Sequence, residues 1–231
     1  MFELNGYAAI VTGGARGIGR AIAVALADAG ADVLITYKGN TAAADAVVAE
    51  ITAKGRKAIA LQADAADPDS AVAVVAKAIE AFGKVDLLVN NAGINMKRPA
   101  VEVSDDDFAN IINVNLNAVF SLTREVGKHM LERGKGSIIM ISSMAAYYGI
   151  DRVAAYASSK TGIYGLVRVL ASEWSGKGVR VNAIAPGFIE TAMSRTAMNS
   201  DPDRKHKAMD RTPMGYFGKP EDIGWAAVYL A

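Results

Sequence analysis

The chain has 231 residues, 52% of them hydrophobic, with 25 basic and 24 acidic residues and a formal net charge of +1. That length suits one α/β domain with a sizeable core, and the balanced charge leaves no electrostatic footprint for nucleic acid or an anionic membrane. With no cysteine and only two histidines, His129 and His206, disulfides, thiolate metal sites and a cysteine nucleophile are excluded and no metal site is expected.

Short apolar, β-branched runs recur along the chain at 7–13, 32–37, 57–62, 85–90, 136–142 and 179–185. They read as parallel strands buried on both faces. Between them, near 18–29, 41–54, 69–82, 104–133 and 156–175, the sequence is Ala-rich or has apolar residues at helical spacing, which reads as crossover helices. The alternation predicts one α/β domain over 1–231, a single doubly wound, Rossmann-like parallel sheet with helices on both faces and ligands at the carboxyl ends of its strands. The stretch 187–219 breaks the regularity, being long, polar and methionine-containing. It is expected to be a substrate lid.

After the first strand stands "TGGARGIG", Thr12 to Gly19, opening a helix. Gly13, Gly17 and Gly19 allow a tight turn and close approach to a pyrophosphate, and the helix start supplies N–H donors and a favourable dipole. The second strand ends "ITYKGN", placing Thr36, Tyr37 and Lys38 where an NAD-binding acid would stand. Arg16 and Lys38 would together pair with a 2′-phosphate, so NADP is favoured, with NAD still open. Ordinary solvated cations are the competing reading. Asp64, after strand three, is placed to meet the adenine edge or to cap a helix.

"NNAG", Asn90 to Gly93, follows strand four and would read as a turn on its own. Asn115 falls inside a predicted helix, where asparagine is a mediocre former and needs a bound water, a backbone contact or a solvated face to account for it. Ser142 and Ser143 end strand five, and Tyr156 and Lys160 share a helical face one turn apart. A serine hydroxyl can hold a substrate oxygen while a phenol gives or takes its proton. Working near pH 7 needs a phenol shift of about three units, roughly 4 kcal/mol, which a nearby ammonium and a nicotinamide cation would supply jointly. Tyr147, Tyr148 and Tyr164 are rivals that spacing does not exclude.

Taken in order, "TGGARGIG", "NNAG", "NVNL", "ISS", "YASSK" and "VNAIAPG" resemble the short-chain dehydrogenases/reductases over essentially the whole chain. The resemblance implies that Tyr156 is the general acid/base and that Lys160 lowers its pKa and binds the nicotinamide ribose. It implies that Ser143, rather than its neighbour Ser142, positions the substrate oxygen, and that Asn115 holds the water of a proton relay. Gly13, Gly17, Ile18 and Gly19 would form the pyrophosphate turn, and Asn91, Ala92 and Gly93 would line the adenosine side. Pro186, Gly187, Ile189 and Thr191 would embrace the nicotinamide end. The family normally continues into a further strand and a glycine-containing tail, whereas this sequence stops at Ala231, so either the sequence is a shortened one or the sheet lacks its seventh strand.

Within the family, "GINMKRPA", "SSMAAYYG" and "KAMDRTPMGYFGKPEDIG" look most like sugar-acid dehydrogenases of the gluconate 5-dehydrogenase type. A 3-oxoacyl carrier-protein reductase is the enzymatic alternative. A non-catalytic nucleotide-binding regulatory protein is the alternative of another class, although its usual mark, loss of the Tyr or Lys, is missing here. Lys97, Arg98 and Arg152 lie in loops after strands four and five and are candidates to meet a substrate carboxylate. Solvated surface charge is the competing reading, and Asp151 beside Arg152 favours it. The expected partners are a small-molecule substrate and, by family resemblance, further copies in a homotetramer. The acid in "MFELNGYAAI" and the lack of any run near 18 apolar residues point to a cytoplasmic protein without membrane association.

Overall fold

The computed structural model describes residues 2–67, 69–192, 194–195 and 202–231, with side chains at all of these except 202–204. Six strands, β1 (Ala8–Val11), β2 (Asp32–Tyr37), β3 (Ala58–Gln62), β4 (Leu87–Asn90), β5 (Gly136–Ile141) and β6 (Val179–Ile184), form one sheet. Its order is β3-β2-β1-β4-β5-β6 and every pairing is parallel. All six predicted strands are present. The order reverses between β1 and β4, so the crevice for a ligand opens at their carboxyl ends.

The apolar runs are continuous because both faces of the sheet are covered. Val11, Val33, Ile35, Leu87 and Ile139 pack with Ile22, Leu26 and Val47 on one face. Their neighbours Ile10, Leu34, Leu88, Ile138 and Met140 pack with Val74, Val126 and Ile163 on the other. This two-residue alternation places helices α1 (Gly17–Asp28), α2 (Thr41–Ala53) and α8 (Pro220–Leu230) on the first face. Helices α3 (Ser70–Phe82), α5 (Ala118–Arg133) and α6 (Ala154–Trp174) cover the second. Helices α1 and α8 approach so closely that a Cβ on Gly224 would stand 2.8 Å from the carbonyl oxygen of Ala21.

One prediction needs correction in detail. The stretch 104–133 is not one regular helix but α4 (Asp105–Ile112), a π-helical turn (Asn113–Asn117) and then α5. A π turn inserts a residue into the helical repeat and re-aims the side chains beyond it. Apolar spacing alone does not reveal such an insertion. The segment expected as a lid is pinched at its neck, where Gly218 donates to Phe188 O at 3.0 Å and Glu190 donates to Gly218 O at 2.7 Å. It contains α7 (Pro202–Asp210), while its residues 193 and 196–201 lie outside the described residues.

Candidate active site

The glycine-rich loop leaves β1 and is anchored before it reaches α1. Thr12 Oγ1 accepts from the backbone N–H of Asn91 (3.0 Å) and of Ala92 (2.9 Å). The Asn91 amide returns a bond to Thr12 O (2.9 Å) and a longer one to Gly13 O (3.3 Å). The ends of β1 and β4 are thereby locked together. Gly13 (φ 64°) and Gly17 (φ 53°) adopt left-handed backbone, which side-chain-bearing residues rarely tolerate.

Helix α2 is capped by Asn40 and α4 by Ser104, while α1, with Arg16 as N-cap, has no side-chain cap, as is also true of α3 and α6. The first N–H groups of α1 therefore need an acceptor from outside the helix. An uncapped helix start behind glycines with no Cβ to fill the space suits a dinucleotide's pyrophosphate.

At the carboxyl end of β5, Ser143 is the N-cap of a short 3₁₀ turn (Met144–Ala146) and accepts from Ala145 N at 3.1 Å. Its side chain faces the Tyr156 phenol closely enough to lower that group's pKa. Lys160 is buried, donates from Nζ to Ile141 O at 2.7 Å and lies 5.6 Å from the centre of the Tyr156 ring. Burial lowers its pKa to about 8. The Tyr156 pKa is raised, chiefly by burial, against a smaller lowering from Ser143. A depression of the phenol by Lys160 is therefore not a property of these side chains alone, because a low-dielectric site penalises phenolate and ammonium alike.

Asn115 is fully buried by the π turn rather than solvated on a helix face. Its Oδ1 accepts from Ile94 N (2.8 Å), and its Nδ2 donates to Ile94 O (2.9 Å) and Ser159 Oγ (3.2 Å). Ser159 Oγ in turn donates to Tyr156 O at 2.7 Å. Gly93 completes the ring, since a Cβ there would come within 3.1 Å of Asn115 Oδ1 and 3.8 Å of Lys160 Nζ. The strand-four loop, the π turn and α6 are thus tied into one unit around the buried lysine.

The family model for short chain dehydrogenases matches residues 7–202. The chain belongs to the short-chain dehydrogenase family. It is 43% identical over 230 residues to a 2-dehydro-3-deoxy-D-gluconate 5-dehydrogenase of Pseudoalteromonas atlantica, covering 100% of this chain and 90% of that one. It is 39% identical to a 3-oxoacyl-[acyl-carrier-protein] reductase of Synechocystis, over 100% of this chain and 91% of the relative. A crystal structure of a Beutenbergia cavernae protein, described as a candidate NAD(P)-dependent gluconate 5-dehydrogenase with bound NADP, superposes with a TM-score of 0.92. It shares 45% identity over 100% of this chain and 91% of that one.

As a short-chain dehydrogenase the protein is an oxidoreductase that uses a nicotinamide cofactor, and the uncapped glycine-lined helix start fits one. At the adenosine end, Tyr37 and Lys38 close β2 as expected, but the exposed Lys38 is ion-paired with Asp64 at 2.8 Å. That pair and the Ala66 N–H lower the Asp64 pKa. Arg16, in the glycine loop, is exposed. On the nicotinamide side, Met144 donates to Pro186 O at 3.1 Å, and a Cβ on Gly17 would meet Thr191 Cγ2 at 3.6 Å. The loop bearing Pro186, Gly187, Ile189 and Thr191 therefore bridges the dehydrogenase's glycine turn and its Ser143 turn. Ile18 lies in the first turn of α1, half-buried.

The expected substrate cations differ among themselves. Arg98 is ion-paired with Asp107 at 2.7 Å, and its N–H bonds Arg152 O at 2.8 Å. Arg152 is exposed with a left-handed backbone (φ 64°), and Lys97 is half-buried. Of the rival phenols, Tyr164 and Tyr147 meet edge to face (5.4 Å between ring centres), both exposed, and Tyr148 lies under Arg211. Sequence reasoning missed Thr12, Thr36 and Ser159. Thr36 Oγ1 accepts from Gly13 N at 3.3 Å. Thr12 and Ser159 stood inside quoted motifs and carried a signal, whereas the contacts of Thr36 with Gly13 and of Ser159 with Asn115 are remote in sequence. Among the described residues no cluster of side chains suits a metal ion, and no helix is long and apolar enough to cross a membrane.

Proposed function

We propose that this chain is an NADP-preferring dehydrogenase that interconverts a secondary alcohol and a ketone on a sugar acid of the gluconate class, with Tyr156 as the proton-transfer group. The carrying observation is the joining of Ser143, Tyr156 and Lys160 at the carboxyl end of β5, with Lys160 Nζ 5.6 Å from the centre of the Tyr156 ring and Ser143 close enough to act on the phenol. A bound nicotinamide supplies the hydride acceptor in oxidation and the hydride donor in reduction. Ser143 Oγ orients the substrate oxygen beside the phenol. In oxidation the carbinol C–H pair leaves as hydride and the hydroxyl proton passes to Tyr156; in reduction the phenol returns it. Lys160, held by Ile141 O, places positive charge beside the phenol and binds the ribose, while Asn115 and Ser159 keep Tyr156 in place.

The preference for NADP rests on the absence of a carboxylate at the end of β2 and on Arg16 and Lys38 near the expected ribose. The NADP bound by the Beutenbergia protein supports it. The sugar-acid reading draws on that protein and on the Pseudoalteromonas enzyme. Arg152 and Lys97 are the proposed carboxylate contacts of the strand loops; Arg98, held by Asp107, is a weaker one. We place the substrate lid at 187–219 of a single domain, and by resemblance a homotetramer in the cytoplasm. The Synechocystis relative favours a second reading, reduction of a 3-oxoacyl thioester. NADPH oxidation with a 5-keto sugar acid and with a 3-oxoacyl thioester decides between them: faster turnover of the sugar acid is expected, and turnover of the thioester alone overturns it.

A further inference from the structure

We infer that Arg211, which lies in "KAMDRTPMGYFGKPEDIG" but was given no role there, reads the carboxylate of the substrate. The inference rests on the sugar-acid reading above and adds, beside the loop cations Arg152 and Lys97, the side chain that would orient the carboxylate. Arg211 directly follows α7 in the segment pinched at Ile189 and Gly218. It faces the loop joining Ser143 to Tyr156: its guanidinium lies 5.7 Å from the centre of the Tyr148 ring and donates to Gly149 O at 3.3 Å. Tyr148 closes the turn that Ser143 begins, its N–H reaching Met144 O at 3.3 Å. Helix α6 starts at Ala154, just ahead of Tyr156. An arginine docked here stands over the connection between the two side chains that would handle the reacting oxygen.

Three observations give it a ligand-reading role. First, Arg20, Arg56, Arg98 and Arg133 are engaged by Glu50, Asp32, Asp107 and Asp86, whereas Arg211 belongs with Arg168 and Arg180, whose contacts are an aromatic ring and backbone carbonyls. Among the described residues no carboxylate pairs with Arg211. Second, its two contacts are a ring face and one long carbonyl bond, which occupy one of the five N–H donors of a guanidinium. A bidentate fork stays available to a carboxylate without breaking either contact. Third, Tyr148, Gly149 and Arg211 line a shallow hollow open at the surface, so a ligand can reach the guanidinium from outside. The aromatic face would fix the guanidinium plane, so that the carboxylate end of a hexonate is held while its carbinol reaches Tyr156.

The test is steady-state kinetics of wild type, Arg211→Ala and Arg211→Lys on a 5-keto sugar acid and on its methyl ester, with thermal melting as a check on folding. Arg211→Ala is expected to raise KM for the acid about tenfold with kcat within twofold, and to change the ester's KM by less than twofold. Arg211→Lys, which keeps the charge and loses the fork, should fall between. Equal effects on acid and ester, or no effect on either, overturn the role of Arg211 while the acid turnover of wild type leaves the sugar-acid reading standing. A wild type that turns over no sugar acid overturns both.

Discussion

Asn91 and Gly19 meet without room for one more carbon between them: a Cβ on Gly19 would stand 2.5 Å from Asn91 Nδ2 and closer still to the carbonyl oxygen of Gly13. Backbone on one side and a doubly bonded amide on the other leave little to yield. Gly19→Ala is therefore expected to destabilise the fold by about 1–3 kcal/mol and to weaken cofactor binding more than tenfold. Thermal melting and cofactor fluorescence titration check it. Wild-type affinity in the variant would mean that the loop does not cradle the pyrophosphate.

The exposed pair of Lys38 and Asp64 sets a second expectation. Exposed ion pairs contribute little, so exchange of Asp64 for a 2′-phosphate costs little. NADPH should bind more tightly than NADH, and Lys38→Ala or Arg16→Ala should each reduce the ratio about tenfold, about 1.4 kcal/mol. Asp64→Asn should leave the ratio unchanged or raise it. Parallel titrations with both cofactors measure this, and an NADH preference in wild type would refute the assignment.

Lys160 links stability to pH. Its folded pKa is about 8 against an ordinary 10.5, so below about 8 both folded and unfolded chains carry the proton and the burial penalty acts in full. Between about 8 and 10.5 the unfolded chain binds more protons, and this group's contribution to stability rises with pH. The shift corresponds to about 3 kcal/mol at most, partly offset by the bond to Ile141 O. Lys160→Met should thus melt higher than wild type at pH 7 in the absence of cofactor while losing activity. A lower melting temperature would show that the Ile141 bond outweighs the burial cost.

Asn115 carries a structural prediction of its own. Replacing it with Leu strips both backbone groups of Ile94 of part-buried bonds, about 1 kcal/mol each, and leaves the buried Ser159 Oγ without its donor, about 1–2 kcal/mol more. Urea denaturation should show a loss of about 2–4 kcal/mol; a loss below about 0.5 kcal/mol would contradict the clamp.

Much of this was legible in the chain, for a physical reason. Runs such as "DVLITY" are apolar at successive residues because Leu34 and Ile35 are buried on opposite faces of the sheet, and a strand covered on both sides leaves that mark. The glycine turn and the Tyr156–Lys160 pair are local and appear as motifs. Asn115 was nominated, but its burial was not legible, because a π turn keeps the helical apolar pattern while re-aiming one side chain. The pairing of Lys38 with Asp64 and the docking of Arg211 on Gly149, 62 residues away, depend on tertiary approach and leave no trace in local spacing.

The central claim is that Tyr156 moves the substrate proton, and the most direct measurement is kcat for NADPH-dependent reduction of a 5-keto sugar acid by wild type, Tyr156→Phe and Tyr164→Phe. Phenylalanine keeps each ring and removes only the hydroxyl. Tyr156→Phe should lower kcat by about 10² to 10⁴ with NADPH affinity within a few-fold of wild type, and Tyr164→Phe should stay within twofold of it. Retained turnover in Tyr156→Phe together with a large loss in Tyr164→Phe would contradict the account.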